Sequence, residues 1–473
     1  MSFALKKARE KLALSATLSY GKLAGYRAEI LHFFKDPGPV TPNNEQQHMQ
    51  VGLDAGEYYQ HIPDGILLVS EEGKVVGCGD AEEVLQLFKE HDLLVEDYRP
   101  KMLVPGFVDA HIHFPQMDMI GSYGEQLLEW LEKYTFPAEE KYSDAKYANE
   151  AAERFLNELL RSGTTTACTF CTVHETSVEA LFSAAERRNM LMIAGKVMMD
   201  AEPFAPAALR QDAQEGYEAC KRLIDKWHGR GRCLYAVTPR FAVTSSQKEL
   251  NLAAKLLQEH EGVYMHTHMN ENKAEMQFVR ELHNVDNYID VYDKAGLLGA
   301  RSVLAHCVHM REEDWARMHA TQACAAFCPT SNMFLGSGLF DLKSARRHKV
   351  RVGLGTDVGA GTSFCQLQTL NAAYKIEQLA GQPLDPLSAL FLATLGTANA
   401  LSLGHRIGNF EAGKEADFVL LDPHATPLLK HRFKTANTLS ERLFLWCILG
   451  DDRSVFASYC LGVRRHLRQA PSA

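Results

Sequence analysis

The chain has 473 residues, 46% of them hydrophobic, enough for one large domain or two ordinary ones around a substantial core. A net charge of -9 and the lack of any dense Lys/Arg stripe leave a nucleic-acid polymer without a binding surface. No segment approaches the roughly 20 uninterrupted apolar residues of a membrane span, and eleven scattered cysteines suit reduced, buried thiols, so the expected address is the cytoplasm, without disulfides.

The opening MSFALKKAREKLALSATLSY sets basic residues ahead of a modestly apolar stretch, but Ser15, Thr17 and Ser19 interrupt it too soon for a secretory signal. Residues 1–23 are therefore read as an extension of unknown role. DGILLVSEEGKVVGCG then reads as strands joined by a Gly-containing turn. From Met102 onward, eight short apolar or β-branched runs alternate with longer amphipathic stretches. The runs are MLVPGFVDAHIH ending near His113, GTTTACTF near Phe170, LMIAGKVMMD near Asp200 and CLYAVTPRF near Phe241. VYMHTHMNE follows, ending near Glu271, then SVLAHC near Cys307, ACAAFCPTS near Ser331 and VRVGLGTD at Asp357.

Between them, KYANEAAERFLNELLRSG and SVEALFSAAERRN carry apolar residues at i, i+3, i+4 spacing and stop at turn residues. Eight strands with intervening helices predict an α/β fold, a (β/α)8 TIM-like barrel over residues 102–404. The alternative is a doubly wound open sheet, but polar and charged residues gather at the C-terminal ends of the runs, where barrels place chemistry. IGNFEAGKEADFVLLD and RSVFASYCLGVRR are again strand-like, so 24–101 plus 405–473 are expected to form one composite β-sandwich domain. LLEWLEKYTFPAE at 127–139 is either a helical flap over the barrel mouth or a packed barrel helix.

His111 and His113 lie two apart on the first run, so both side chains leave one face, roughly 6–7 Å apart at the backbone. His268 near the end of the fifth run and Asp357 at the end of the eighth complete three imidazoles and a carboxylate, a set that suits zinc and iron alike and leaves room for water. Hydrolysis is the obvious use of water activated by such an ion. Glu271, three residues past His268, is read as the proton shuttle and His306, at the sixth strand end, as the group that orients or polarises the nucleophile. Asp109, facing the same way as His111 but deeper, is expected to give hydrogen-bonding support. His174 and His309 lack this strand-end placement. Cys168 and Cys171 form a CxxC, but i, i+3 spacing on a strand sends them to opposite faces, and the second pair of a structural zinc site is missing.

Barrel hydrolases with two ions share a modified lysine at the fourth strand; here that strand ends TPRF and Lys196 belongs to the third, which favours one ion. The H-x-E and P-C-x-x-C elements of another zinc architecture are both absent.

PGFVDAHIH, HTHMNEN, LAHC and GTD, in that order and at strand ends, resemble the amidohydrolase superfamily. HFPQ at 113–116, LLEWLEKYTFPAE at 127–139, TPRF at 238–241, FCPTSN at 327–332 and GTDVGAG at 355–361 narrow the resemblance to its guanine deaminase family, in the bacterial form, from about Gly25 to Val463. The resemblance implies hydrolysis of guanine to xanthine and ammonia in purine catabolism and salvage. It implies one zinc ion held by His111, His113, His268 and Asp357, with Glu271 as acid/base and His306 and Asp357 stabilising the tetrahedral centre. Gln116, Arg240 and Phe241 would contact the purine, which His113, His268, Glu271 and Asp357 also border, and the family implies a homodimer. Phe241 and Trp130 can wall a flat ring, while Arg240 and Gln116 can donate to its edge. Aminohydrolases of 8-oxoguanine, cytosine, adenine-type nucleosides or triazines share the scaffold and remain alternatives. A non-catalytic scaffold protein should have lost ligands or the shuttle, and all are present.

Overall fold

The computed structural model describes residues 3–18, 20–38, 56–123 and 126–469. The expected β domain thus includes 39–55, and the extension residues 1, 2 and 19, that lie outside the described residues. The extension forms a helix, Phe3–Ser15, whose Leu12 is buried with Leu23, Ile66, Leu68 and Val76. Four strands follow: β1 (Leu23–Phe33), β2 (Tyr59–Val69), β3 (Val75–Asp80) and β4 (Leu93–Pro105).

The eight runs become the staves of a barrel. They are β5 (Phe107–His113), β6 (Thr164–Phe170), β7 (Leu191–Gly195) with the two-residue β8 (Val197–Met198), β9 (Cys233–Pro239), β10 (Tyr264–Met269), β11 (Ser302–His306), β12 (Cys324–Phe327) and β13 (Arg351–Leu354). All pair in parallel, in the order β5-β6-β7-β9-β10-β11-β12-β13, with β8 beside β9. The ring closes just past β13, where Asp357 N–H donates to His111 O and His113 N–H to Val358 O, each at 2.9 Å. The open-sheet alternative is thereby set aside. Strands covered on both faces need apolar residues at nearly every position, which is why these runs do not alternate. Val108, Ala110, Cys168, Ile193, Ala236, Val303 and Ala326 fill the axis. Outside, helices such as Ala145–Arg161 lay Ala148, Ala152, Phe155 and Leu159 against the strands, its first turn capped by Asp144. All eleven cysteines are buried free thiols, Cys168 facing the axis and Cys171 the helical layer.

The chain ends in β14 (Phe418–Leu421), β15 (Val455–Cys460) and β16 (Val463–Leu467), which complete one seven-stranded sheet, β16-β15-β14-β4-β1-β2-β3. Tyr26 pairs with Glu96 and Phe418 with Pro105, positions nine residues apart on β4 and so about 30 Å along a straight strand. Yet the Tyr26 and Phe418 rings lie 4.8 Å apart. β4 therefore turns a corner at its register shift, and the two halves of the sheet enclose a shared core. The helices Pro427–Phe433 and Leu439–Leu449 lie within the segment expected to belong to this domain; their Leu443, Trp446 and Cys447 are buried in the large core cluster that holds barrel residues together with Leu31, Phe33 and Val455 of the sheet. Arg232, just before β9, ties the two units together through Asp417 (2.6 and 3.0 Å) and Glu415 (3.0 Å). Among the described residues no helix is long and apolar enough to cross a membrane.

Candidate active site

The C-terminal ends of the strands converge four of the expected side chains. A bulge between Asp109 and Ile112 adds one residue to β5 relative to β6, so Ala110 and its neighbour His111 both reach the axis, with His113 above. Gly355 lets the last strand approach: a side chain there would meet His111 Cβ and O at 3.1 Å. Asp109 holds this seam rather than sitting beneath His111 on the axis. It accepts from His111 N (3.1 Å), Thr356 N (3.1 Å) and Thr356 Oγ1 (2.5 Å). Asp357 and His306, at φ 52° and 73°, occupy the left-handed region that non-glycine residues avoid, a local strain that turns each carboxylate or ring into the mouth.

Asp357 Oδ1 lies 3.2 Å from His111 Nε2 and 3.3 Å from His113 Nε2, and His113 Nε2 lies 3.2 Å from His268 Nε2. Donor atoms bound about 2.0–2.1 Å from a tetrahedral ion sit about 3.3–3.4 Å from one another. These three separations suit donor atoms around a cation, and His111 belongs both to a group with His113 and His268 and to one with His306 and Asp357. Proton placement fits as well. His268 Nδ1–H donates to Arg240 O (2.7 Å), which leaves the Nε2 lone pair facing His113. His111 Nε2 is buried without a hydrogen bond, while its Nδ1 meets His266 Nε2 at 2.7 Å. Burial lowers the pKa of the His111, His113 and His268 imidazoles, His113 to about 3, keeping them neutral with a lone pair to offer. Against burial, which alone would raise it, His111 and His113 hold Asp357 well below the usual carboxylate range.

Glu271 Oε2 faces His306 Nε2 at 3.3 Å, and His306 Nε2 faces Asp357 Oδ2 at 3.8 Å. His306 Nδ1–H donates to Asn332 Oδ1 (3.0 Å), which fixes its ring. Ser337 Oγ donates to Glu271 Oε1 (3.3 Å). Burial, then the Asp357 charge, push Glu271 up to about 8.

Above these groups opens a small cavity of about 30 Å³. His113, His268, Glu271 and Asp357 form its floor; Gln116, Arg240 and Phe241 its wall. The 127–139 segment is both packed and a cover. Its short helices Leu127–Trp130 and Phe136–Glu140 flank a wider turn, Trp130 is 1% exposed, and Leu127, Trp130 and Leu131 roof the cavity. His174 and His309 do not line it.

Sequence reading missed four neighbours. His266 forms a second HxH with His268, on the strand facing β5, and that repetition was the available signal. Asn332 and Glu139 lay inside quoted motifs without a role. Ser337 carried no signal.

A barrel with three imidazoles and a carboxylate converging at its strand ends, and an acid beside them, is the architecture of a hydrolase. The chain belongs to the amidohydrolase family, whose model matches residues 102–444. Within the family it is similar to guanine deaminases. The guanine deaminase of Escherichia coli (strain K12) is 52% identical over 402 residues, 85% of this chain and 91% of the relative. The solved structure of E. coli guanine deaminase superposes with a TM-score of 0.88 at 47% identity, covering 94% of this chain and 100% of that one. A guanine deaminase from C. acetobutylicum with bound guanine in the active site gives a TM-score of 0.81 at 25% identity, covering 93% and 99%.

Proposed function

We propose that this enzyme, a hydrolase of carbon–nitrogen bonds in cyclic amidines, removes the 2-amino group of guanine to give xanthine and ammonia. One observation carries the reading: a cavity whose floor is His113, His268, Glu271 and Asp357, with His111 grouped beneath them, and whose wall offers Arg240, Gln116 and Phe241. The similarity to guanine deaminases, one of them with guanine bound, supports the choice of base.

His111, His113, His268 and Asp357 would hold one zinc ion, which when bound supplies Lewis acidity and lowers the pKa of water toward about 7. Arg240 and Gln116 bind the polar edge of the base and Phe241 its face, which orients C2 toward the floor. Water attacks C2 while Glu271 takes its proton and returns it to a ring nitrogen. His306 and Asp357, facing the same point, stabilise the tetrahedral centre, and the amine leaves as ammonia. Leu127, Trp130 and Leu131 exclude bulk water. The same reading takes a homodimer in the cytoplasm.

The test is ammonia release by metal-analysed protein from guanine beside 8-oxoguanine, cytosine, adenosine and a triazine. Guanine is expected to be the preferred substrate, with one zinc per chain. Negligible release from guanine with brisk release from another base rejects the reading.

A further inference from the structure

Glu139 is fully buried on the cover, and no step above uses it. It joins the two side chains that read the purine edge. Arg240 Nη1 donates to its Oε1 (2.9 Å) and Oε2 (2.7 Å), and Gln116 Nε2 donates to Oε1 (3.2 Å). Arg240 is itself only 2% exposed, so the carboxylate supplies the counter-charge for a guanidinium at the cavity wall.

A carboxylate only accepts, and this one has a donor on each side. That fixes the Gln116 amide at both ends: Nε2 must turn to Glu139, which leaves Oε1 to accept Gly359 N–H (3.3 Å). Both Arg240 bonds to Glu139 leave from Nη1 while the residue lines the cavity, so its remaining N–H groups are the donors it can offer a ligand there. The wall beside the base therefore presents a held guanidinium donor, complementary to an oxygen at C6 of a purine and opposed to an amine there.

We propose that Glu139 is a positioning residue that sets the hydrogen-bonding faces of Arg240 and Gln116, and through them the preference for a 6-oxo over a 6-amino purine. The proposal rests on the guanine reading. A glutamine at 139 would keep the shape but bring its own NH2 against Arg240 or Gln116, donor to donor. The Gln116 amide would then flip and Arg240 lose its counter-charge.

The experiment compares guanine with 2,6-diaminopurine, which carries the same 2-amino group and an amine at C6, for the zinc-loaded parent, Glu139→Gln and Glu139→Asp. In Glu139→Gln the KM for guanine is expected to rise at least tenfold while kcat falls less than threefold. Its guanine preference is expected to drop tenfold, since uniform binding to the edge is what is lost. Glu139→Asp, one methylene short of its partners, should lose at least threefold of the preference, and it decides the question should Glu139→Gln fail to fold. An unchanged preference, or an equal loss of kcat on both substrates, overturns the proposal alone. A parent protein that releases no ammonia from guanine overturns the reading beneath it.

Discussion

Replacing His266 with leucine tests how the barrel interior holds the metal site. His266 Nε2 lies 2.7 Å from His111 Nδ1, and its own Nδ1 lies 3.3 Å from Cys168 Sγ. For His111 to ligate through Nε2, its proton must sit on Nδ1 and be donated to His266, which in turn donates to the thiol. Leucine removes the acceptor and leaves the His111 N–H buried without a partner, a cost of about 1–3 kcal/mol. Loss of such support under a metal ligand weakens affinity about 10–100-fold, which is about 1.4–2.7 kcal/mol. The two estimates agree. Competition for zinc against a chromogenic chelator should therefore show His266→Leu binding at least tenfold more weakly than the parent. His266→Gln, whose amide oxygen can accept the same proton, should recover part of the loss. Zinc affinity in His266→Leu within threefold of the parent, in a protein of unchanged circular dichroism, would refute the reasoning.

Glu271→Gln should keep its zinc and lose ammonia release by about 10²–10⁴-fold; turnover at the parent rate would remove Glu271 from the proton path. Arg232→Ala leaves Asp417 and Glu415 buried, with Asp417 keeping only Leu461 N–H at 2.9 Å, while Arg406 still reaches Glu415 at 2.8 Å. Breaking such a pair costs about 3–5 kcal/mol, which should lower the urea midpoint. Because Arg232 precedes β9, at the end of the barrel away from the mouth, zinc content should not change. His32, buried beside Gln60, is pushed down to about 4 by burial. Its folded pKa lies below the unfolded value of about 6.5, so the unfolded chain binds the proton first. The stability it confers is complete above pH 6.5 and drains away as pH falls toward 4. The urea midpoint of His32→Asn should fall less steeply over that window than the parent's.

Much of this protein is written in covalent neighbourhood. The eight apolar runs had to be strands covered on both faces, since no alternation was left for water, and the amphipathic stretches between them had to lie outside. His111 and His113 share a face because strand geometry repeats every two residues, and His268, Glu271, His306 and Asp357 could be placed because each lies at or near the end of a run. What the chain order could not decide depends on contacts between distant segments. The bulge that turns His111 toward the axis exists only as a mismatch between β5 and β6, and the corner in β4 only in its pairing with β1 and β14. Glu139 meets Arg240 across 101 positions and His266 meets His111 across 155. A lone glutamate on a short helix and a histidine three residues below a strand end look like solvated or core residues until folding removes water from them. Only then does a buried charge or N–H require a partner, and the partners available in the closed barrel are what turn these side chains into parts of the site.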